Sequence, residues 1–353
     1  MIRSPIPVPT GAALFARRLQ MNHEAAIYSS YRCDRQYSRQ EVRDDFGIRD
    51  LPRLSEVNDW AYIAQRLDAG PPRINAAELK SVPSESGVRV VPITRLRKLY
   101  RLLRGTPSKD LHHAIAQGMA NRPKALADLC TDAVKKISNY NNQEPFLSKR
   151  RSLLEAPQGS VIERTNDLVG FLCSTGGAFV VPGYPELDCE YIERELNPLR
   201  TTRSVYETGG KARSSGGGGI DLLLLNKQDR TPVIAEVKVD QDTNCFFGLI
   251  QALTYAVELC TPHQYARLAK SLQDGYDVEI SQVFVPLDIY LVLYDPPLGA
   301  LDRELCELSK QVAKGLQSYP GFGSLIRRIV CLEAKMSGNQ IVFNKQFSSD
   351  DIT

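Results

Sequence analysis

Two short apolar segments stand next to each other, IDLLLLN (220–226) and TPVIAEVKV (231–239), separated by KQDR. This arrangement restricts the fold more than any other feature of the chain. IDLLLLN is apolar at every position between Asp221 and Asn226, so a strand made from it must be covered on both faces. That places it inside a sheet with further layers on each side. In VIAEVKV the side chains alternate. Val233, Ala235, Val237 and Val239 fall on one face; Ile234, Glu236, Lys238 and Asp240 fall on the other. One face is wholly apolar. The other carries a carboxylate and an ammonium two residues apart, about 7 Å along the backbone.

Charges inside such a pair of strands are costly unless they are paired or bind a metal. Asp221 and Glu236 would repel each other, and a divalent cation would hold them together. Hard oxygen ligands suit Mg²⁺ or Mn²⁺. Lys238 would then lie beside the ion, placed to orient water or to stabilise developing phosphate charge. The bland alternative is an Asp that caps a turn and a Glu–Lys pair on a solvated face.

Around these strands the chain from 151 to 353 reads as an α/β unit with a mixed central sheet flanked by helices. GSVIERTNDLVGFLCS (159–174) suggests an amphipathic helix that Ser160 can cap, and CEYIERELN (189–197) a strand. DTNCFFGLIQALTYAVELC (242–260) suggests a helix with Asp242 as N-cap, and TPHQYARLAKSLQDG (261–275) a second one started by Pro262. DIYLVLYD (288–295) reads as a buried strand and 300–319 as an amphipathic helix with the stripe Leu301, Leu305, Leu308, Val312 and Leu316. A hairpin turning at Ser337–Gly338–Asn339 closes the series. The core order is helix, three strands, helix, strand.

Residues 1–150 have a different character, mainly helical and basic. They hold 25 Lys+Arg against 15 Asp+Glu, whereas 151–353 hold 19 against 26. In ITRLRKLYRLLRG (93–105) a helix buries Leu96, Leu99, Tyr100, Leu102 and Leu103. Arg95, Arg97, Lys98, Arg101 and Arg104 would then be offered to phosphates, or simply to solvent. KDLHHAIAQGMANRPKALADLCTDAVKKISNY (109–140) reads as helices broken near Pro123. This region is expected to serve as a nucleic-acid-binding or interaction module.

Other chemistries find no support. The eight cysteines form no CxxC pair and sit mostly among apolar residues, which argues against a zinc site. GGKARSSGGGG (209–219) lacks the GxxxxGK[ST] pattern and reads as a mobile loop before the Asp221 strand. No GxSxG elbow occurs. Nothing in the N-terminal stretch resembles a signal peptide, and no apolar run reaches membrane-spanning length. The expectation is a soluble, cytoplasmic protein without a membrane partner.

The set Ile220-Asp221, then fourteen intervening residues, then Glu236-Val237-Lys238, resembles the PD-(D/E)XK nuclease superfamily. Ile220 replaces the name-giving proline. Gln251-x-x-x-Tyr255 resembles the QxxxY element of RecB-like nucleases, with both side chains on one helix face. The resemblance covers roughly 155–295. It implies a restriction-endonuclease-like core and metal-dependent hydrolysis of DNA phosphodiesters, in restriction, repair or antiphage defence. RNA is the alternative substrate, and a protein partner or a homodimer fits the same frame. Asp221, Glu236 and the Val237 carbonyl would hold Mg²⁺ or Mn²⁺, Lys238 would position water, and Gln251 and Tyr255 would assist. For the family's helix Glu, Glu163 is the first choice, Glu155 the second and Glu195 a weaker third. The competing reading is a non-catalytic nucleic-acid-binding or assembly subunit that retains the fold.

Overall fold

The computed structural model describes residues 94–104, 109–138, 146–147, 161–201, 219–239, 244–295, 302–338 and 340–351. The Gly-rich loop at 209–218, Asp240, Ser160 and Glu155 lie outside them. The described chain runs α1 (Arg95–Arg104), α2 (Lys109–Asn121), α3 (Pro123–Ile137), β1 (Phe146–Leu147), α4 (Val161–Ser174), β2 (Ala178–Phe179), β3 (Cys189–Thr201), β4 (Ile220–Asn226) and β5 (Pro232–Val239). It continues through α5 (Cys245–Leu259), α6 (Pro262–Tyr276), β6 (Leu287–Tyr294), α7 (Arg303–Gln317), α8 (Pro320–Gly323), β7 (Ile326–Ser337) and β8 (Gln340–Ser348).

One mixed sheet organises these elements in the order β1-β3-β4-β5-β6-β7-β8, with β2 also paired to β3. Strands β3, β4 and β5 are antiparallel neighbours, β5, β6 and β7 are parallel, and β8 returns antiparallel on β7. The parallel pairs need crossovers, which α5–α6 and α7–α8 supply. The two-sided apolar strand β4 sits inside the sheet, with Leu222 opposite Ala235 of β5. Its alternating leucines divide between two cores. Leu222 and Leu224 face Val233, Ala235 and the α4 residues Leu168, Val169 and Leu172. Leu223 and Leu225 face the helices of the other layer.

That other layer includes the N-terminal helices. Leu96, Leu99 and Leu103 of α1, and Ile115 and Leu126 of α2 and α3, join one apolar cluster with Phe246 and Leu253 of α5 and Val312 of α7. The core therefore runs without a break across position 150. All five apolar residues expected on the inner side of α1 are buried.

Local signals set the helix ends. Pro123 opens α3 and separates it from α2 at Arg122. Asn244 caps α5, its side chain accepting from Phe247 N at 2.8 Å. This corrects the expectation of Asp242: the helix starts two residues later, where an amide oxygen meets the free first-turn N–H groups. Thr261 caps α6 and Asp302 caps α7 in the same way. At the end of the sheet, buried Asp288 receives Arg327 at 2.6 Å and Arg328 at 2.8 Å, fastening β6 to β7.

Helix α7 approaches α3 through Gly315. A Cβ there would lie 2.6 Å from Pro123 Cγ and 2.7 Å from its Cβ. The proline ring has no rotamer that clears this space. Alanine normally improves a helix interior by about 1 kcal/mol, but overpacking costs about 1–3 kcal/mol. Gly315→Ala is expected to lower the melting temperature. A rise would show that the α3–α7 contact yields easily.

Among the described residues no single helix is long and apolar enough to cross a membrane.

Candidate functional site

The site forms where β4, β5 and α5 meet. Strand alternation turns Glu236 and Lys238 toward α5, where they pass over Gly248. A Cβ at Gly248 would sit 3.4 Å from Lys238 Cε and 3.9 Å from Glu236 Cγ. Both charged residues are buried, Glu236 at 2% exposure and Lys238 at 6%. The solvated-face alternative does not hold for this pair.

Lys238 Nζ donates to Glu236 Oε1 at 2.9 Å and to Gln251 Oε1 at 3.0 Å. The ammonium also lies 4.6 Å from the centroid of the Phe247 ring, a cation–π contact. Asp221 enters from β4, and its Oδ2 accepts from Val237 N at 2.9 Å. The Asp221 and Glu236 carboxyl groups lie close enough to influence each other's protonation. Burial raises the Asp221 carboxyl above its ordinary value, partly countered by the Lys238 charge. Glu236 is raised further, by burial first and then by the charge of Asp221. Two carboxyls so placed cannot both ionise without a compensating cation. They titrate as a pair, and a proton or a cation satisfies them.

Gln251 and Tyr255 are expected to assist at the site, reaching its rim or a phosphate. Gln251 is mostly buried, and its amide oxygen orients the lysine. Tyr255, one helical turn later, is fully buried and backs the site instead of lining its mouth. Its ring meets that of Tyr100 edge-on with centroids 6.1 Å apart, and it lies under Arg97 at 5.3 Å. Glu163 belongs to α4, but its side chain is outside the described residues. Glu195 lies in β3 with φ 52, at a left-handed backbone position.

The basic helix α1 divides differently from expectation. Arg95 and Arg104 are exposed and Lys98 is half-buried, while the Arg101 side chain lies outside the described residues. Arg97 is the correction. It is buried and donates to both oxygens of Glu258, Nε to Oε1 and Nη2 to Oε2, each at 2.6 Å. A bidentate pair of this kind holds two helices together; it does not present a cation to phosphate.

Four residues near the site escaped the sequence reading. Tyr100 stacks on Phe247 with ring centroids 5.7 Å apart and planes inclined by 16°. Phe247 and Glu258 are the others on this side. They fall on the same α5 face as Gln251 and Tyr255, at helical spacing, and this was the available signal. On the far side, buried Arg194 of β3 donates to Asn166 Oδ1 of α4 at 2.7 Å, and its charge favours ionised Asp221.

Among the described residues no group of three His, Cys, Asp or Glu side chains gathers around one point. Two carboxylates, Asp221 and Glu236, are the acidic side chains that meet here; hard oxygen donors of this type suit Mg²⁺ or Mn²⁺. No family model matches the chain, and no curated protein or solved structure matches it.

Proposed function

We propose that this chain is a metal-dependent nuclease that hydrolyses phosphodiester bonds, with DNA as substrate and a restriction-endonuclease-like core. The observation that carries the reading is the half-buried Asp221 carboxyl set beside buried Glu236, with Lys238 hydrogen-bonded to Glu236 and Gln251. A purely structural ion pair needs one carboxylate for one ammonium. Here a second carboxyl, Asp221, is set beside the first and is held above its ordinary value despite the Lys238 and Arg194 charges, a conflict that a bound cation would relieve. The order of elements, α4, β3–β5, α5, β6, supports the same fold.

Asp221, Glu236 and the Val237 carbonyl would hold Mg²⁺ or Mn²⁺. When bound, such an ion supplies a Lewis acid for the phosphoryl oxygen and an acidified water. The protein's own part is positional and electrostatic. Lys238, fixed by Glu236, Gln251 and Phe247, places its ammonium where water attacks phosphorus and negative charge grows. The P–O ester bond breaks, and the products are a phosphate and a hydroxyl end. Arg95 and Arg104, each exposed near one end of α1, are suited to hold the phosphate backbone. Restriction, repair and antiphage defence are the settings that suit such an enzyme, in the cytoplasm.

Cation binding is checked without catalysis. Mn²⁺ at a hundredfold excess over its Kd stabilises the folded state by about 2.7 kcal/mol. The melting temperature is expected to rise with Mn²⁺ or Mg²⁺, to fall back with chelator, and not to respond in Glu236→Gln. Cleavage of linear, circular, single-stranded and duplex DNA, and of RNA, run alongside, identifies the substrate. A protein that neither shifts nor cuts, yet binds DNA, is the non-catalytic subunit.

A further inference from the structure

The reading above places chemistry on β4, β5 and α5, but a helix from the N-terminal region reaches the same site. On α5, Phe247, Gln251, Tyr255 and Glu258 share one face. On α1, Arg97, Tyr100 and Arg104 do the same. The two faces meet antiparallel. The Arg97–Glu258 pair closes one end, with both hydrogen bonds at 2.6 Å. Tyr100 packs between Tyr255 and Phe247, at centroid distances of 6.1 and 5.7 Å. Phe247 in turn presents its ring to Lys238 Nζ, 4.6 Å from the centroid. Tyr100 is almost fully buried, so its ring packs in the interior and is not a surface binding platform.

We propose that Tyr100 is a positioning residue of the active site, acting through Phe247 to hold the Lys238 ammonium against Glu236 and Gln251. The nearly parallel Tyr100 ring limits the tilt of Phe247, and the orientation of Phe247 fixes where Lys238 rests. Helix α1 is thereby part of the catalytic unit as well as a carrier of basic side chains. The inference rests on the nuclease reading for its effect on rate, but not for its effect on the lysine.

A double-mutant cycle tests it. Tyr100→Leu and Phe247→Leu are each expected to lower kcat about tenfold with KM little changed, as misplacement of a catalytic group does. The double variant should lose about tenfold as well, because both substitutions break one chain of contacts. Tyr100→Phe retains the stack and should stay within about threefold of wild type. Multiplying losses in the double variant, or a Tyr100→Phe as poor as Tyr100→Leu, would overturn the proposal. A second readout is independent of cleavage. In lysine-labelled protein, the ε-methylene resonance of Lys238, assigned with Lys238→Arg, should show an upfield ring-current shift. That shift should vanish in Phe247→Leu, shrink in Tyr100→Leu and persist in Tyr100→Phe. If wild type cuts nothing but these shifts appear, the nuclease reading fails and the positioning stands. If Tyr100→Leu leaves the resonance unmoved, the positioning fails whatever the activity.

Discussion

Asp221→Asn is expected to melt higher than the wild-type chain at neutral pH and to lose cleavage by on the order of a thousandfold or more. Both effects have one cause. The folded state raises the Asp221 carboxyl by burial, and raises Glu236 further by burial and by the charge of Asp221. A carboxyl raised on folding binds more protons in the native than in the unfolded state. Stability therefore falls as pH climbs from the unfolded carboxylate value, about 4, through the folded values, and remains reduced above them. Asparagine retains an oxygen to accept from Val237 N and removes the repulsion. A gain of about 0.5–2 kcal/mol at pH 7 is the usual size for relieving such a functional conflict. The difference from wild type should shrink toward pH 4, where the wild-type pair is protonated. Calorimetry between pH 4 and 8, with cleavage assayed at pH 7, measures both. An Asp221→Asn variant that is less stable at every pH would make Asp221 a structural residue. One that still cuts would remove it from the site.

The strands carrying this pair were legible because a period of two leaves little choice. Once Val233, Ala235 and Val237 face one way, Glu236 and Lys238 must share the other face, and the cluster membership follows that division. IDLLLLN is legible for a related reason: a short run of four leucines next to an alternating strand, once extended, must be covered on both faces, and β4 lies between β3 and β5. Helix termini were less legible. Asp242 and Asn244 are equally good capping residues two positions apart, and only the register of Phe246 and Leu249 on the sheet selects Asn244.

Arg97 shows a different limit. Its neighbours Leu96 and Leu99 mark the buried side of α1, but periodicity alone cannot supply the partner that makes a buried guanidinium tolerable. That partner, Glu258, is 161 residues away in the chain. The excess of Lys+Arg before 150 suggests a separate basic module, yet α1–α3 complete the core over α5 and α7. Composition changes along the chain where the function of the surface changes, and the hydrophobic core need not divide there. In the sequence Tyr100 is one member of an apolar stripe. Its stacking on Phe247 depends on how two helices dock, which a single sequence does not state.

Glu258→Ala is expected to be the most destabilising single change in the helical layer, by about 3–5 kcal/mol, the cost of leaving a buried charge without its partner. Arg97 would keep its position between Leu96 and Leu99 without the carboxylate that accepts both of its side-chain hydrogen bonds. Glu258→Gln preserves shape and one acceptor and should cost less. Replacing both partners with apolar residues, Arg97→Met with Glu258→Leu, should recover most of the loss, because a buried ion pair often contributes little net stability beyond an apolar pair of the same volume. Urea denaturation of the two single variants and the double one measures the coupling. A Glu258→Ala loss below about 1 kcal/mol would place the pair among exposed, weak salt bridges and free α1 from α5. The activity of the double variant then separates two uses of this contact. If α1 need only be docked for Tyr100 to reach Phe247, an apolar pair that restores stability should restore kcat as well. If stability returns and kcat does not, the bidentate geometry itself sets the register of α1, one helical face against another, and Tyr100 is misplaced in a helix that is otherwise firmly bound.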